Sequence, residues 1–464
     1  MLSTIYEMLP RTLVRDEWLT ETDDWGDRVK LFRDYYDGNH RSKLTGNMKR
    51  MLRISGDQHD QFNENYCGLV VDTYADRLLV DRIEGDSEEA TKWAEALMMA
   101  NRWDGLQMDL HEASIRDGDT FLLLEYDNDR GRVVLSHEPC WDGETGMIVV
   151  YDRRLKNILI AIKIWYEGVD DARRVNFYYP DRVEKYIADE SGYGMLPFVD
   201  ESTDERGVAE WLPGVVPVVH YRNRSRTRTQ YGISELASVV PLQDALNRGL
   251  MSMVMTAELT AFLIRVAKGF EPPAEVSPGM WITIGAEGLT NDMVADAFTL
   301  EPGGIVPFID QANHLIEQIA TISRTPLPTT LGGDNASGEA LKQRESGLLA
   351  KVRKAQVKVG NAHEDMMQLA ALIHDTFSPT RAPVSDGWRC VWRDPQIRNE
   401  AEMIANALAV RDIVGDRETL RLLGEVYGYG MAKQEEIIEE KQAAALNAMT
   451  ALAGSLPGFD NFQI

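Results

Sequence analysis

Residues 337–377 read SGEALKQRESGLLAKVRKAQVKVGNAHEDMMQLAALIHDTF. From Leu348 the apolar positions Val352, Ala355, Val359, Ala362, Met366, Leu369, Ile373 and Phe377 follow at alternating steps of four and three. That repeat keeps them on one face of an α-helix. Ser337 is placed to cap the helix, and Glu339 sits in the first turn, where the helix dipole favours a carboxylate. A helix from 339 to 377 would be roughly 58 Å long. One compact globule does not need such a length, so an elongated packing partner is expected. The run Lys351-Val-Arg-Lys-Ala-Gln-Val-Lys358 within it reads as the solvated face of the helix.

Upstream lies Thr325-Pro-Leu-Pro-Thr-Thr-Leu-Gly-Gly-Asp-Asn-Ala, which two prolines and two glycines mark as a loop. Before it, a helix starts at Pro307 and is expected to bury Phe308, Ile309, Ala312, Leu315, Ile316, Ile319 and Ile322. Residues 269–304 are rich in Gly and Pro and hold one short strand, Met280-Trp-Ile-Thr-Ile284. They form an excursion between that helix and an earlier one, on which Leu242, Leu246, Leu250, Met253, Ala257, Ala261 and Ile264 mark one face that ends near Arg265.

Further towards the N-terminus, helical patterns cover 63–79, 87–101 and 103–116, and 117–221 reads as a mostly antiparallel β region. In the C-terminal direction, Trp388-Arg-Cys-Val-Trp-Arg-Asp-Pro395 is a strand that ends at a proline. Residues 399–452 are helical, with a turn at Gly428-Tyr-Gly430. No repeat of 20–50 residues is visible. The fold class is α+β.

The 464 residues carry 49 basic and 74 acidic side chains, a formal charge of −25. Sequence-specific DNA readers usually carry a basic footprint, so that class is disfavoured. A protein that lets nucleic acid pass without gripping it is not. Cys67, Cys140 and Cys390 have no paired spacing, which argues against a disulfide framework or structural zinc and for a reducing compartment. The N-terminus has no apolar run of signal-peptide length. The most apolar stretch, 249–264, contains Glu258 and is bracketed by Arg248 and Arg265, so no membrane span is expected.

Catalytic motifs are missing. There is no G-x-x-x-x-G-K-[ST], H-E-x-x-H, G-x-S-x-G or clustered C-x-x-C. Leu331-Gly-Gly-Asp-Asn-Ala-Ser-Gly338 lacks the lysine of a phosphate loop and does not follow a strand. His137-Glu-Pro-Cys140 has no second metal half-site and reads as a strand-to-turn junction. Asp127-Asn-Asp-Arg-Gly131 lacks the terminal glutamate of a calcium loop and reads as a hairpin turn. His363 and His374 lie close to three turns apart on the long helix and read as surface or packed histidines. No cofactor or metal is called for, and the chain reads as a non-enzyme. Arg222, Arg224, Arg226 and Arg228 recur at period two, which in an extended segment places all four on one side. Phosphate contact and pairing with an acidic neighbouring subunit are equally good readings of them.

The order of these segments resembles the portal proteins of tailed bacteriophages, in the subgroup like that of the Bacillus siphophage portals. Tyr35-Tyr-Asp-Gly-Asn-His40 is similar to an early Y-Y-x-G-x-H element of that family, and 63–83 to its helix-plus-strand segment. Pro217-Val-Val-His-Tyr-Arg-Asn-Arg224 with Gly232-Ile-Ser-Glu-Leu236 resembles the approach to its first stem helix. Asn335-Ala-Ser-Gly-Glu-Ala-Leu341 is similar to the opening of its long helix, and Val391-Trp-Arg-Asp-Pro395 to the strand after it. Together these cover about 30–440.

The resemblance implies a homo-oligomeric ring, usually of twelve subunits, at one vertex of the virion capsid, assembled in the host cytoplasm. It implies a wing (1–232 and 378–398), stem helices (233–265 and 305–324), a clip (266–304), a tunnel loop (325–338), a long channel helix (339–377) and a crown (399–464). Double-stranded DNA passes through without sequence specificity during packaging and ejection. The implied partners are the terminase large subunit, head-tail adaptors, the major capsid protein and scaffolding protein, with no membrane. The implied loop contact runs through Thr325, Pro326, Leu327, Pro328, Thr329 and Thr330 to Leu331, Gly332, Gly333, Asp334 and Asn335. Glu271, Trp281, Glu287 and Asp292 are the clip residues implied to meet partners. Residues 325–338 contain no lysine or arginine and one acid, Asp334. A surface that touches a sliding duplex should avoid strong phosphate anchors, because neutralised phosphates release counterions and bind tightly. The rival readings are another structural component of the virion, such as a minor head or connector protein, and, more distantly, a multidomain hydrolase. A helix pair interrupted by a small Gly/Pro-rich module favours the portal class over both.

Overall fold

The computed structural model describes residues 2–10, 18–40, 64–152, 157–168, 172–189, 194–226, 229–261, 265–268, 281–284, 296–299, 304–326, 338–396, 400–409, 411–427 and 433–444. They divide into two compact units, Met1–Pro395 and Gln396–Ile464.

The first unit opens with α1 (Leu2–Met8), α2 (Trp18–Tyr36) and α3 (Tyr66–Ala75), followed by β1 (Val80–Gly85), α4 (Glu88–Ala100) and α5 (Trp103–Asp117). Local chemistry sets their ends. The Asn65 side chain accepts from the backbone N–H groups of Cys67 and Gly68, and Ser87 accepts from Ala90. Gly118 terminates α5 at φ 94°, a left-handed conformation that suits glycine. The three expected helices are therefore present; the one read over 63–79 is confined to 66–75.

Strands β2 (Asp119–Asp127), β3 (Arg132–Pro139) and β10 (Val218–Arg222) form an antiparallel sheet in the order β10-β2-β3. A second antiparallel sheet holds β4 (Gly146–Tyr151), β5 (Ile158–Glu167), β6 (Ala172–Tyr178), β7 (Arg182–Ala188) and β8 (Met195–Pro197) in that order, with β9 (Val208–Glu210) also paired to β7. Asp127 Oδ1 accepts from the N–H groups of Asp129 and Arg130 and closes the β2–β3 hairpin, as the turn reading expects. His137 lies in β3, which ends at Pro139, so the segment to Cys140 is the strand-to-turn junction expected. The unbroken apolar run Phe121–Leu124 is explained by burial on both faces. Phe121 and Leu123 pack with Trp25, Ile148 and Ile162, whereas Leu122 and Leu124 pack with Val359, Met366 and Ala370 of the long helix.

α6 (Val240–Ala261) leads to β11 (Arg265–Lys268), β12 (Trp281–Ile284) and β13 (Asp296–Thr299), and the chain returns through α7 (Val306–Ser323) to α8 (Gly338–Phe377). β11 is the central strand, parallel to β12 and antiparallel to β13. The helix read as ending near Arg265 stops at Ala261. Residues 265–268 instead join a ladder on both sides, and that pairing outweighs the helical pattern that runs through Ile264. Because Arg265 is paired with Thr299, the end of α6 and the start of α7 meet at this sheet and the two helices run antiparallel.

Leu246 and Leu250 of α6, Ala312, Ile316 and Ile319 of α7, and Leu348, Val352 and Ala355 of α8 share one core with α3. The burial expected for Phe308, Ile309 and Ile322 is not found. Ile309 and Ile322 are 41% and 48% exposed and Phe308 is half-buried, because they flank the narrow stripe that meets α6 and α8. β14 (Trp388–Trp392) pairs antiparallel with β1, Gly85 opposite Trp388. It ends three residues short of Pro395, though Arg393 N–H still bonds the Leu79 carbonyl.

The second unit contains α9 (Glu400–Ala409), α10 (Arg411–Tyr427), interrupted by Gly415 at φ 82°, and a helical stretch over 433–444. The turn read at Gly428–Gly430 lies outside the described residues. Helices and antiparallel sheets occupy separate stretches of the chain, so the fold is α+β.

Candidate functional site

The site builds from the point where α7 ends and the loop 325–338 begins. Arg324 closes α7 in a left-handed conformation (φ 60°, ψ 30°), and its N–H bonds the Ala320 carbonyl. The Thr325 N–H reaches the same carbonyl at 3.0 Å, and the Ser323 hydroxyl donates to the Ile319 carbonyl at 2.7 Å. Ser323 Oγ and Thr325 Oγ1 are 2.9 Å apart, and Thr325 is 4% exposed. The first loop residue is therefore an anchor inside this chain.

Lys351, one turn into the packed part of α8, completes the anchor. Its Nζ donates to the Ser323 carbonyl at 3.1 Å, pairs with Glu235 Oε2 at 2.7 Å and lies 4.2 Å from the centre of the Tyr74 ring. A cation at the C-terminal carbonyls of α7 also meets the negative end of its dipole. Burial pulls the Lys351 ammonium below the usual lysine range, and the Glu235 carboxylate opposes that fall. Glu235 is held from below: the Asn223 side-chain amide donates to its Oε1 at 3.2 Å, and the Arg224 guanidinium lies 3.7 Å from its Oε2. One ammonium thus joins the loop root to the segment between β10 and α6.

A second set of bonds fixes α8 against the sheets. The Leu78 carbonyl can only accept, so His111 Nδ1 donates to it at 2.6 Å. His111 Nε2 must then accept from His363 Nε2 at 3.0 Å, which leaves His363 Nδ1 to accept from the Tyr221 hydroxyl at 2.9 Å. Two neutral imidazoles satisfy every bond in this chain. Burial agrees: it drives His363 well below the usual histidine range and brings His111 down to about 4. Arg77 adds a third tie, to Glu345 at 2.8 Å and to the Pro395 carbonyl at 2.9 Å.

The residues singled out in the sequence fall as follows. Arg222 ends β10 and Asn223 is buried, but Arg224 turns left-handed at φ 47°, so the arginines do not form one extended row. Arg228 lies outside the described residues, as do Leu327, Pro328, Thr329, Thr330, Leu331, Gly332, Gly333, Asp334, Asn335, Glu271, Glu287 and Asp292. Trp281 opens β12. His363 is fully buried, whereas the His374 ring meets Trp93 edge-on. The run 351–358 is not the solvated face expected: Lys351 is held as above, and Lys358 donates to the Ser225 carbonyl at 2.8 Å. Glu235, Arg324, His111 and Tyr221 were not read as functional at all. Lys351 carried a signal, since it lies within about 60° of Leu348 around the helix, at the margin of the apolar stripe. Among the described residues, no cluster of three or more His, Cys, Asp or Glu is placed to hold a metal ion, and no helix is long and apolar enough to cross a membrane.

An α+β chain with a helix pair, a small sheet at its far end and a pinned interhelical loop is a structural rather than a catalytic arrangement. Residues 20–445 match the family described as phage portal protein, SPP1 Gp6-like, and the chain belongs to that family. It is 24% identical to the portal protein of Mycobacterium phage D29, over 98% of this chain and 95% of the relative. It is also 24% identical to the portal protein of Mycobacterium phage L5, over 96% and 92%. A solved chain from the neck of a native GTA particle, computed with C12 symmetry, aligns at TM-score 0.41 and 13% identity, over 86% of this chain and 93% of that one.

Proposed function

We propose that this chain is the subunit of a closed ring, twelve-fold as in the family it resembles, at one vertex of a phage capsid. The ring forms in the host cytoplasm and conducts double-stranded DNA inward during packaging and outward at ejection. In this reading the wing comprises 1–232 and 378–398, and α6 and α7 lie in stem segments 233–265 and 305–324. The clip, 266–304, carries β11–β13 and offers Glu271, Trp281, Glu287 and Asp292 to the terminase large subunit and later to head-tail adaptors. Residues 399–464 form the crown, and the capsid and scaffolding proteins surround the wing. The loop 325–338 faces the duplex along the channel helix 339–377, with Thr325 as its anchor.

The observation that carries this reading is the family match across 20–445, which takes in both helices, the small sheet, the loop and α8. The loop composition supports it: a lining without lysine or arginine lets a polyanion slide. The test is photocrosslinking in assembled particles. A benzophenone amino acid at Leu331 should crosslink to packaged DNA, and the same group at Leu196, an exposed position on β8, should not. Equal or absent DNA crosslinking at the two positions would refute the channel-facing loop.

A further inference from the structure

Two basic runs far apart in sequence come together beside the loop root. Lys358 donates to the Ser225 carbonyl at 2.8 Å and its hydroxyl oxygen at 3.1 Å, which lays 222–226 along α8. Arg224 shares the Glu235 carboxylate with Lys351. A Cβ built on Gly347 would lie 3.8 Å from Cβ of Arg324, so Arg324 stands at the end of the same stripe. On a helix Gly347, Lys351, Lys354 and Lys358 fall within about 60° of one another, and the stripe runs roughly 16 Å.

Lys351 and Lys358 are spent on internal bonds. Arg226, Arg324 and Lys354 are exposed and have no ion-pair partner among the described residues, and Arg224 is exposed beside the already neutralised Glu235. The backbone adds an independent mark. The described non-glycine residues with positive φ are Arg102, Arg224 and Arg324, and two of the three belong to this patch. Glycine or asparagine suits that conformation better than a long side chain, so the guanidinium groups are kept at a conformational cost. In a chain of net charge −25, this concentration of cations needs a partner.

We propose that Arg224, Arg226, Arg324 and Lys354 form a phosphate-contacting collar for the backbone of duplex DNA at the root of the loop 325–338. The proposal rests on the portal reading for the presence of DNA. The free cations are spread along a stripe rather than focused on one point, which suits an extended polyanion. A protein partner would call for an apolar, aromatic-rich interface centre, whereas phosphates need only cations. The division of labour follows: the uncharged loop lets the duplex slide, and the collar behind it holds the duplex when it is at rest.

The test measures fluorescence anisotropy of a labelled duplex of about 30 base pairs with the assembled full-length protein, between about 50 and 200 mM KCl. The wild-type protein should bind with an affinity that falls steeply with salt. The variant R224S/R226S/R324S/K354S should bind more weakly, with a log–log salt slope shallower by roughly 3.6, about 0.9 for each cation lost. The charge-keeping set R224K/R226K/R324K should retain the wild-type slope, and R353S, on the far side of α8, should change affinity little. Mass photometry of the same samples separates the alternatives. Wild-type assemblies that bind no duplex, or a serine variant with unchanged slope, would overturn the collar and leave the portal reading standing. A serine variant that stays monomeric while the wild type assembles would also overturn it and assign these residues to contacts between copies. Failure of the wild type itself to assemble would count against the portal reading.

Discussion

His111 Nε2 and His363 Nε2 lie 3.0 Å apart in the core, joining α5 to the middle of the long helix α8. Two imidazolium ions cannot share that bond, because each nitrogen would then be a donor. The wing side of the molecule therefore holds the channel helix through a contact that exists only while both rings are neutral.

This relationship has a pH consequence. Burial holds His111 at about 4 in the folded chain, against about 6.5 for a free histidine. Between these values the unfolded chain binds more protons, so stability is fully present above about 6.5 and is lost as pH falls towards 4. Each unit of difference is worth about 1.4 kcal/mol. Thermal melts from pH 7.5 to 4.5 should show a falling midpoint that H111Q/H363Q flattens; an unaltered slope in that variant would assign the effect to other groups.

The Lys351–Glu235 pair should behave as a buried ion pair. Lys351 and Glu235 side chains are 13% and 4% exposed, so removing either partner leaves the other charge unpaired in the interior. K351M or E235L alone should cost about 3–5 kcal/mol, and the double variant considerably less than the sum. Urea unfolding of the four chains measures this; additive losses would show that the two residues act separately.

Gly232 is a position where no other residue fits. A Cβ there would lie 2.1 Å from the Gly118 carbonyl oxygen and 2.7 Å from that of Asn223. The Gly232 N–H bonds Asp119 Oδ1 at 2.7 Å, so the backbone has little freedom to retreat. G232A should destabilise by about 1–3 kcal/mol, the range of overpacking, whereas G105A, in open space on α5, should be neutral or slightly stabilising. Equal melting temperatures for the two variants would contradict this packing.

Most of the elements were legible because local rules and tertiary packing agree in them. Ser87 and Asn101 bracket α4, and the four–three spacing of α8 survives as its contact with the β10-β2-β3 sheet and with α6 and α7. The loop root was not legible. Lys351 and Lys354 differ by less than one turn, yet one is neutralised inside and the other exposed, and only the approach of Glu235 from a distant segment decides which. The period-two arginines suggested an extended strand, but β10 ends at Arg222 and the backbone turns at Arg224 to meet α8. The helix pattern through Ile264 likewise carried no trace of the ladder that captures Arg265.

The central claim is that copies of this chain close into a ring around an open axis. Mass photometry of the purified protein, with negative-stain imaging of the same sample, tests it most directly. Closed rings near 628 kDa, twelve chains of 52.3 kDa, with a stain-filled axial hole are predicted, and thirteen-fold rings from overexpression would be equally consistent. A stable 52.3 kDa monomer at every concentration measured, or an open filament without closure, would contradict the account.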